Sequence, residues 1–199
     1  MNRQSTRPDA RAAVLSAAAE LFDVRGYDTV SIAELTAASG VSNGSLYHHF
    51  GSKDGVLAAL VVDALAGFQE GVLETLGART DAASAIRALV EYELRWYEQH
   101  PRAARSVIAH RDTVAASARG REPLREINRA FGRRLQAWLR EQQRCGALPE
   151  AVDPNLLYAI VFAPAHETGK LWLAGRIRKR PTEFAASLGA AAWAGLQAV

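Results

Sequence analysis

Asn43, Gly44 and Ser45 follow Ser42 at a point where a short helix is set to begin. An amide and a hydroxyl on the first turn of an exposed helix can hydrogen-bond base edges in a major groove, and glycine lets the backbone come close. Ser42 has the side chain of an N-cap. Eleven residues earlier Ser31 and Glu34 have the S-x-x-E spacing of a capping box, in which each satisfies the other's free backbone N–H. The spacing predicts two short helices, Ser31–Ser39 and Ser42–His48, joined through Gly40 and plugged by Val41. That is a helix–tight turn–helix module over about residues 31–50. Other chemistry has little to work with. His48, His49, His100, His110 and His166 show no H-x-x-x-H or H-x-x-E spacing, and His166 and Glu167 are adjacent and point apart on a helix. Cys145 has no nucleophile–base partner nearby in sequence. No catalytic residue, metal ligand set or cofactor site is expected.

The elements that must carry this module are helical. Ala, Leu, Arg and Glu dominate, and no strand-like alternation runs to useful length. An apolar face at Val14, Ala18, Leu21 and Phe22 predicts a first helix over 8–25, with Gly26 as a left-handed C-cap. Ser52 is a further N-cap, opening a long helix through Val56, Leu60, Leu65 and Phe68. Larger helices follow over 81–100, 101–110, 122–144, 154–175 and 181–199, with 111–121 as a loop. The expected fold is all-α, about nine helices. An N-terminal three-helix domain over 8–68 precedes a helical body over 69–199. The 199 residues are 49% hydrophobic and 23% charged, ordinary for a globular chain and unlike a disordered one. A single cysteine allows no internal disulfide and fits a reducing, cytoplasmic home. Met1–Arg11 is polar, which predicts no secretory signal. The densest apolar run, 156–165, is shorter than the ~20 residues a membrane helix needs.

The string from Ser39 through Asp54, Gly40-Val41-Ser42-Asn43-Gly44-Ser45-Leu46-Tyr47-His48-His49-Phe50-Gly51-Ser52-Lys53 at its centre, resembles the signature of the TetR/AcrR family of transcriptional regulators. Phe22 and Gly26 match that family's F-x-x-x-G opening. Gly40, Val41, Ser42, Gly44, Tyr47, Phe50 and Lys53 match the rest, over about residues 8–68. Leu35-Thr36 and Ser39 depart from the usual residues at helix-packing positions. The resemblance implies that Asn43, Ser45 and His48 face the major groove while Leu46 and Phe50 pack inward. It places the Tyr47 hydroxyl and the Lys53 ammonium on phosphates, with Thr29, Ser31 and Ser42 as further phosphate donors.

Charge sits oddly for such a reading. Net charge is +3, yet residues 1–55 hold five basic and six acidic groups. Eleven arginines lie in 101–146 against four acids, and 170–180 adds five basic groups. A neutral head must then rely on placed donors, helix N-termini and an arm carrying Arg3, Arg7 and Arg11, with two heads doubling the phosphate contacts. The arginines of 101–146 read as a solvated helix face rather than a second nucleic-acid site.

In the resembling family the body binds a small molecule and dimerises. Here Trp96, Tyr97, Phe131, Trp138 and Phe162 supply aromatic surface, and Glu93, His110, Asn128 and His166 are its polar candidates. Together they could line an apolar ligand pocket. Pro164 inside a helix removes one backbone bond and kinks it beside His166. The helices from Pro154 and Pro181 are apolar on broad faces, which predicts a dimer interface through Leu157, Trp172, Ala185, Leu188, Ala192, Trp193 and Leu196. The expected function is a homodimeric repressor on a palindromic double-stranded operator, released by a small, largely apolar effector, without a membrane partner. The rivals are a ligand-independent architectural DNA protein, which would be more basic, and an all-helical enzyme.

Overall fold

The computed structural model describes residues 9–199. All regular structure among them is helical. In chain order these are α1 (Ala10–Arg25), α2 (Ile32–Ser39), α3 (Asn43–Phe50), α4 (Lys53–Gly77), α5 (Ala82–Gln99), α6 (Pro101–Ala116), α7 (Arg121–Arg144), α8 (Pro154–Leu157), α9 (Ala163–Leu173) and α10 (Ala185–Gln197). A π-helical turn, Tyr158–Phe162, joins α8 to α9 into one irregular helix, so nine helices stand along the described chain.

The first compact unit holds the chain up to Leu65 together with Arg102–Arg125. Its helices start where the sequence provides caps. Asp9 accepts from the Arg11 N–H, and Ser31 and Glu34 form the complete capping box. Ser42 accepts from the Ser45 N–H. Gly40 ends α2 with φ 66° and ψ 16°, the left-handed conformation that costs a residue with a Cβ 1–2 kcal/mol, roughly. Gly26 also has positive φ, but its ψ of 145° leads the chain out extended rather than left-handed. Val14, Ala18 and Phe22 of α1, Leu35 of α2, Leu46 and Phe50 of α3, and Val56, Leu57 and Val61 of α4 form the core.

The expected loop over 111–121 is shorter. α6 continues to Ala116 because Val114 is buried, at 1% exposure, and rewards another turn. Only 117–120 turn, held by Ser117 and Gly120. The linear division at 68/69 is also replaced: residues 102–125 pack with the N-terminal helices, not with the body.

The second unit is Ala66–Pro101 with Glu126–Val199. α5 is its spine. Ala82, Ala85, Ile86, Leu89, Val90, Glu93, Leu94 and Tyr97 recur at three- and four-residue steps and are all buried. They pack chiefly on α10 and α9. Pro164 has no N–H for the carbonyl of Ile160, and the Ala163 N–H instead reaches back five residues to Tyr158. The expected kink is thus a widened turn. α4 is 25 residues long, with a window of mean hydropathy 1.7, long and apolar enough by composition to cross a membrane. Asp63 and Glu70 interrupt the apolar run, so the densest stretch in the sequence lies elsewhere, at 156–165. Val56 and Val61 in the first unit and Val72 and Leu76 in the second are buried, as in a core helix.

Candidate nucleic-acid interface and effector site

α3 buries Leu46 and Phe50 and leaves Asn43, Gly44, Tyr47, His48 and His49 exposed, with Ser45 half-buried. Asn43 and Tyr47, and Gly44 and His48, are each four residues apart and so share one face. Tyr47 keeps 51% of its surface exposed, a large aromatic left in water at the middle of a helix. Two hydroxyls nearby are otherwise engaged. Thr29 Oγ1 donates to the Arg25 carbonyl at 2.8 Å. Ser31 Oγ lies 2.7 Å from Glu34 Oε2, donating to it while accepting from the Glu34 N–H. Their protons are spent on helix caps, which corrects the expectation that they serve phosphates. Ser42 accepts a hydrogen bond and keeps its proton to donate. Glu34 is held at a pKa of about 2 by the Ser31 N–H and hydroxyl and by Arg25, whose guanidinium is 2.6 Å away.

Lys53 differs most from expectation. Its Nζ donates to the carbonyls of Tyr27 at 3.0 Å, Asp28 at 3.4 Å and Val30 at 2.9 Å, and lies 4.4 Å over the Tyr27 ring. An ammonium has three N–H groups, and these three carbonyls take them. Beside it the Tyr27 hydroxyl donates to Asp54, and the phenol's pKa is raised by burial and by that carboxylate. Lys53 therefore fastens the turn between α1 and α2 to the start of α4. Arg11 forks onto Asp63 at 2.7 and 2.9 Å, so it is no free arm residue. Arg3 and Arg7 lie outside the described residues.

In the second unit, Glu93, Tyr97 and His166 come together. The Tyr97 hydroxyl is hydrogen-bonded to His166 Nδ1, and Glu93 Oε1 is 4.0 Å from that nitrogen. Glu93 is 3% exposed and its Oε2 has no hydrogen-bond partner, so burial pushes its carboxyl well above the usual range. A Cβ at residue 169 would collide with the Tyr97 ring, so Gly169 is what lets this tyrosine seat. Trp96 joins Phe68 and Tyr92, at 5.0 Å and in the same ring cluster. Asn128 accepts from Gln69 at 2.8 Å. Phe131 lines a cleft of about 140 Å³ with Gln69, Glu70, Ile127 and Arg134. That is smaller than the ~300 Å³ at which ligand pockets begin. Phe162 is buried in the core and Trp138 packs against it.

Four expected positions are corrected. His110 belongs to the first unit, where its ring lies 5.8 Å from that of Tyr27, because α6 packs there. Leu157, Ala192 and Leu196 are 0%, 4% and 0% exposed, consumed by their own protomer's core, and are not surface residues. Trp172, Ala185, Leu188 and Trp193 remain half-buried. Phe68, legible in the sequence as an inward-facing residue of α4, joins this group together with Gln69 and Tyr92, which stand outside the expected lining; the four-residue step from Tyr92 to Trp96 is the readable signal.

Residues 14–60 match the model of bacterial regulatory proteins of the tetR family. The N-terminal segment of the chain is thus similar to the tetR family of bacterial regulatory proteins. The transcriptional regulator UidR of Escherichia coli is 31% identical over 102 residues, 45% of this chain and 52% of UidR. The chain spans about half the length of the curated relatives of this kind that it matches. Two solved structures superpose more fully. FadR of Bacillus subtilis, in complex with stearoyl-CoA, has a TM-score of 0.76 at 18% identity, over 92% of this chain and 98% of that one. GusR of Salmonella enterica has a TM-score of 0.72 at 21% identity over the whole of both chains. UidR and FadR are both transcriptional regulators. The matched stretch holds most of α1, all of α2 and α3, and the start of α4.

Proposed function

We propose that this chain is a cytoplasmic, ligand-responsive repressor of the TetR family that binds a palindromic operator as a homodimer. The observation that carries it is the α3 face: Asn43, Gly44, Tyr47 and His48 stand exposed on a helix whose other side is locked by buried Leu46 and Phe50. Asn43, Ser45 and His48 read base edges. Tyr47 and Ser42 hold phosphates through their hydroxyls. Lys53 keeps the module's shape rather than neutralising a phosphate. Selection of bound duplexes from a random pool tests this reading. A palindrome with half-sites about one turn, ~34–36 Å, or more apart is the expected product. No enrichment over the starting pool overturns it.

The effector reading rests on the second unit's polar cluster. Glu93, Tyr97 and His166, with the aromatic group of Phe68, Tyr92 and Trp96, form the polar and apolar walls of the site. The cleft at Phe131 and Gln69, about 140 Å³, is its entrance and must widen to admit a small, largely apolar molecule. α4 gives residues to both units, so a ligand that prefers one setting of this helix changes operator affinity, and operator must change ligand affinity by the same factor. Dimerisation uses the exposed small face of α10, Ser187, Ala190, Ala191 and Ala194, flanked by Ala185, Leu188, Trp193 and Trp172.

A further inference from the structure

Residues 1–65 carry five basic and seven acidic groups, a poor partner for a polyanion. Residues 102–125 bring six arginines and two acids into the same unit and turn its net charge from −2 to +2. Most of these arginines are engaged. Arg102 and Arg105 face Asp23, Arg121 donates to the Ala116 carbonyl, and Arg125 lies near Glu122. Arg119, in the turn between α6 and α7, is placed differently. Its guanidinium occupies the space that a Cβ on Gly51 would fill. Gly51 is the C-cap of α3, with φ 72°. Gly51 stands just past the last turn of α3, four residues beyond the exposed Tyr47, and the Arg119 side chain also passes Gly55 at the start of α4. Arg119 thus puts a positive charge at the C-terminal end of the helix that carries Asn43 and Tyr47, and it is itself exposed. It also lies where the carbonyl end of the helix dipole would otherwise repel a phosphate. Its neighbours in a cleft of about 230 Å³ include His49 and Arg11, the latter neutralised by Asp63.

We infer that Arg119 is a DNA-phosphate contact, delivered to the recognition helix from a segment far along the chain. This rests on the DNA-binding reading above. The test uses the full chain and two duplexes of equal length: one selected by the wild type from a random pool, and one of unrelated sequence. Affinities are measured from 50 to 300 mM salt for the wild type, Arg119→Ala, Arg119→Gln and Arg119→Lys. A lost phosphate contact lowers the salt slope by about 0.9 per protomer and weakens both duplexes alike, by about eightfold per site at 0.1 M salt. Arg119→Lys keeps the slope. If Arg119 only caps α3, Arg119→Ala and Arg119→Gln lower the thermal midpoint and leave the slope unchanged, and the inference falls. A wild type that selects no duplex from the pool overturns the DNA reading itself. Wild-type binding with an unaltered slope in the variants overturns only the role of Arg119.

Discussion

Arg105 of α6 donates from Nε and Nη2 to the two carboxylate oxygens of Asp23 on α1, at 2.5 and 2.8 Å, across 82 residues of sequence. Asp23 keeps only 14% of its side chain exposed, and the arginine hydrogen bonds hold its carboxyl below the usual range. The pair explains how a segment beyond α5 is fastened to the helices that present α3.

Arg105→Ala strands that carboxylate with only Arg102 near it, at 3.9 Å. The loss expected in urea unfolding is about 1–2 kcal/mol at pH 7. A depressed pKa contributes stability above the unfolded value, near pH 4, and loses it as pH falls through the folded one. The gap between wild type and variant should therefore close in acid. A gap that is constant from pH 3 to 7 would show that the pair does not act through charge.

Glu93 has the opposite sign. Its folded pKa is raised by burial. Both states are protonated in acid, and above about pH 4.5 the unfolded chain ionises while the folded one resists, so stability falls as pH rises. Glu93→Gln removes that slope. Thermal midpoints of the two proteins should diverge between pH 4.5 and 7.5, with the variant higher at neutral pH. Parallel curves would mean Glu93 ionises in place.

Tyr47 and Lys53 should separate cleanly. Tyr47→Phe leaves the thermal midpoint unchanged and weakens duplex binding roughly tenfold, as loss of a ~1.5 kcal/mol hydrogen bond to a charged group requires. Lys53→Gln lowers the midpoint, because the Tyr27 and Val30 carbonyls lose their donor. A Lys53→Gln protein with wild-type stability and a shallower salt slope would restore Lys53 to the phosphates.

The two sides of α10 also give opposite outcomes. Ala191→Glu, on the exposed side, should convert dimer to folded monomer in light scattering. Leu196→Ala, fully buried, should cost the protomer about 2–5 kcal/mol whatever its assembly state. A dimer that survives Ala191→Glu places the interface elsewhere.

What the residues alone determined is short in range. The capping box at Ser31 and Glu34, the left-handed Gly40, the N-cap at Ser42 and the α5 stripe from Ala82 to Tyr97 are set by stereochemistry within one or two turns, and each is legible as spacing. Periodicity also reports that a face is buried, but not against what. The partner is chosen by packing across long chain separations. Thus the tertiary structure decided that Leu157, Ala192 and Leu196 fill their own core, that His110 sits beside Tyr27, and that the Lys53 ammonium closes on three backbone carbonyls. It likewise decided that arginines read along the chain as a solvated face meet Asp23 and Gly51 in the first unit. A side chain's charge is fixed by its type, whereas the groups it meets depend on where the chain returns.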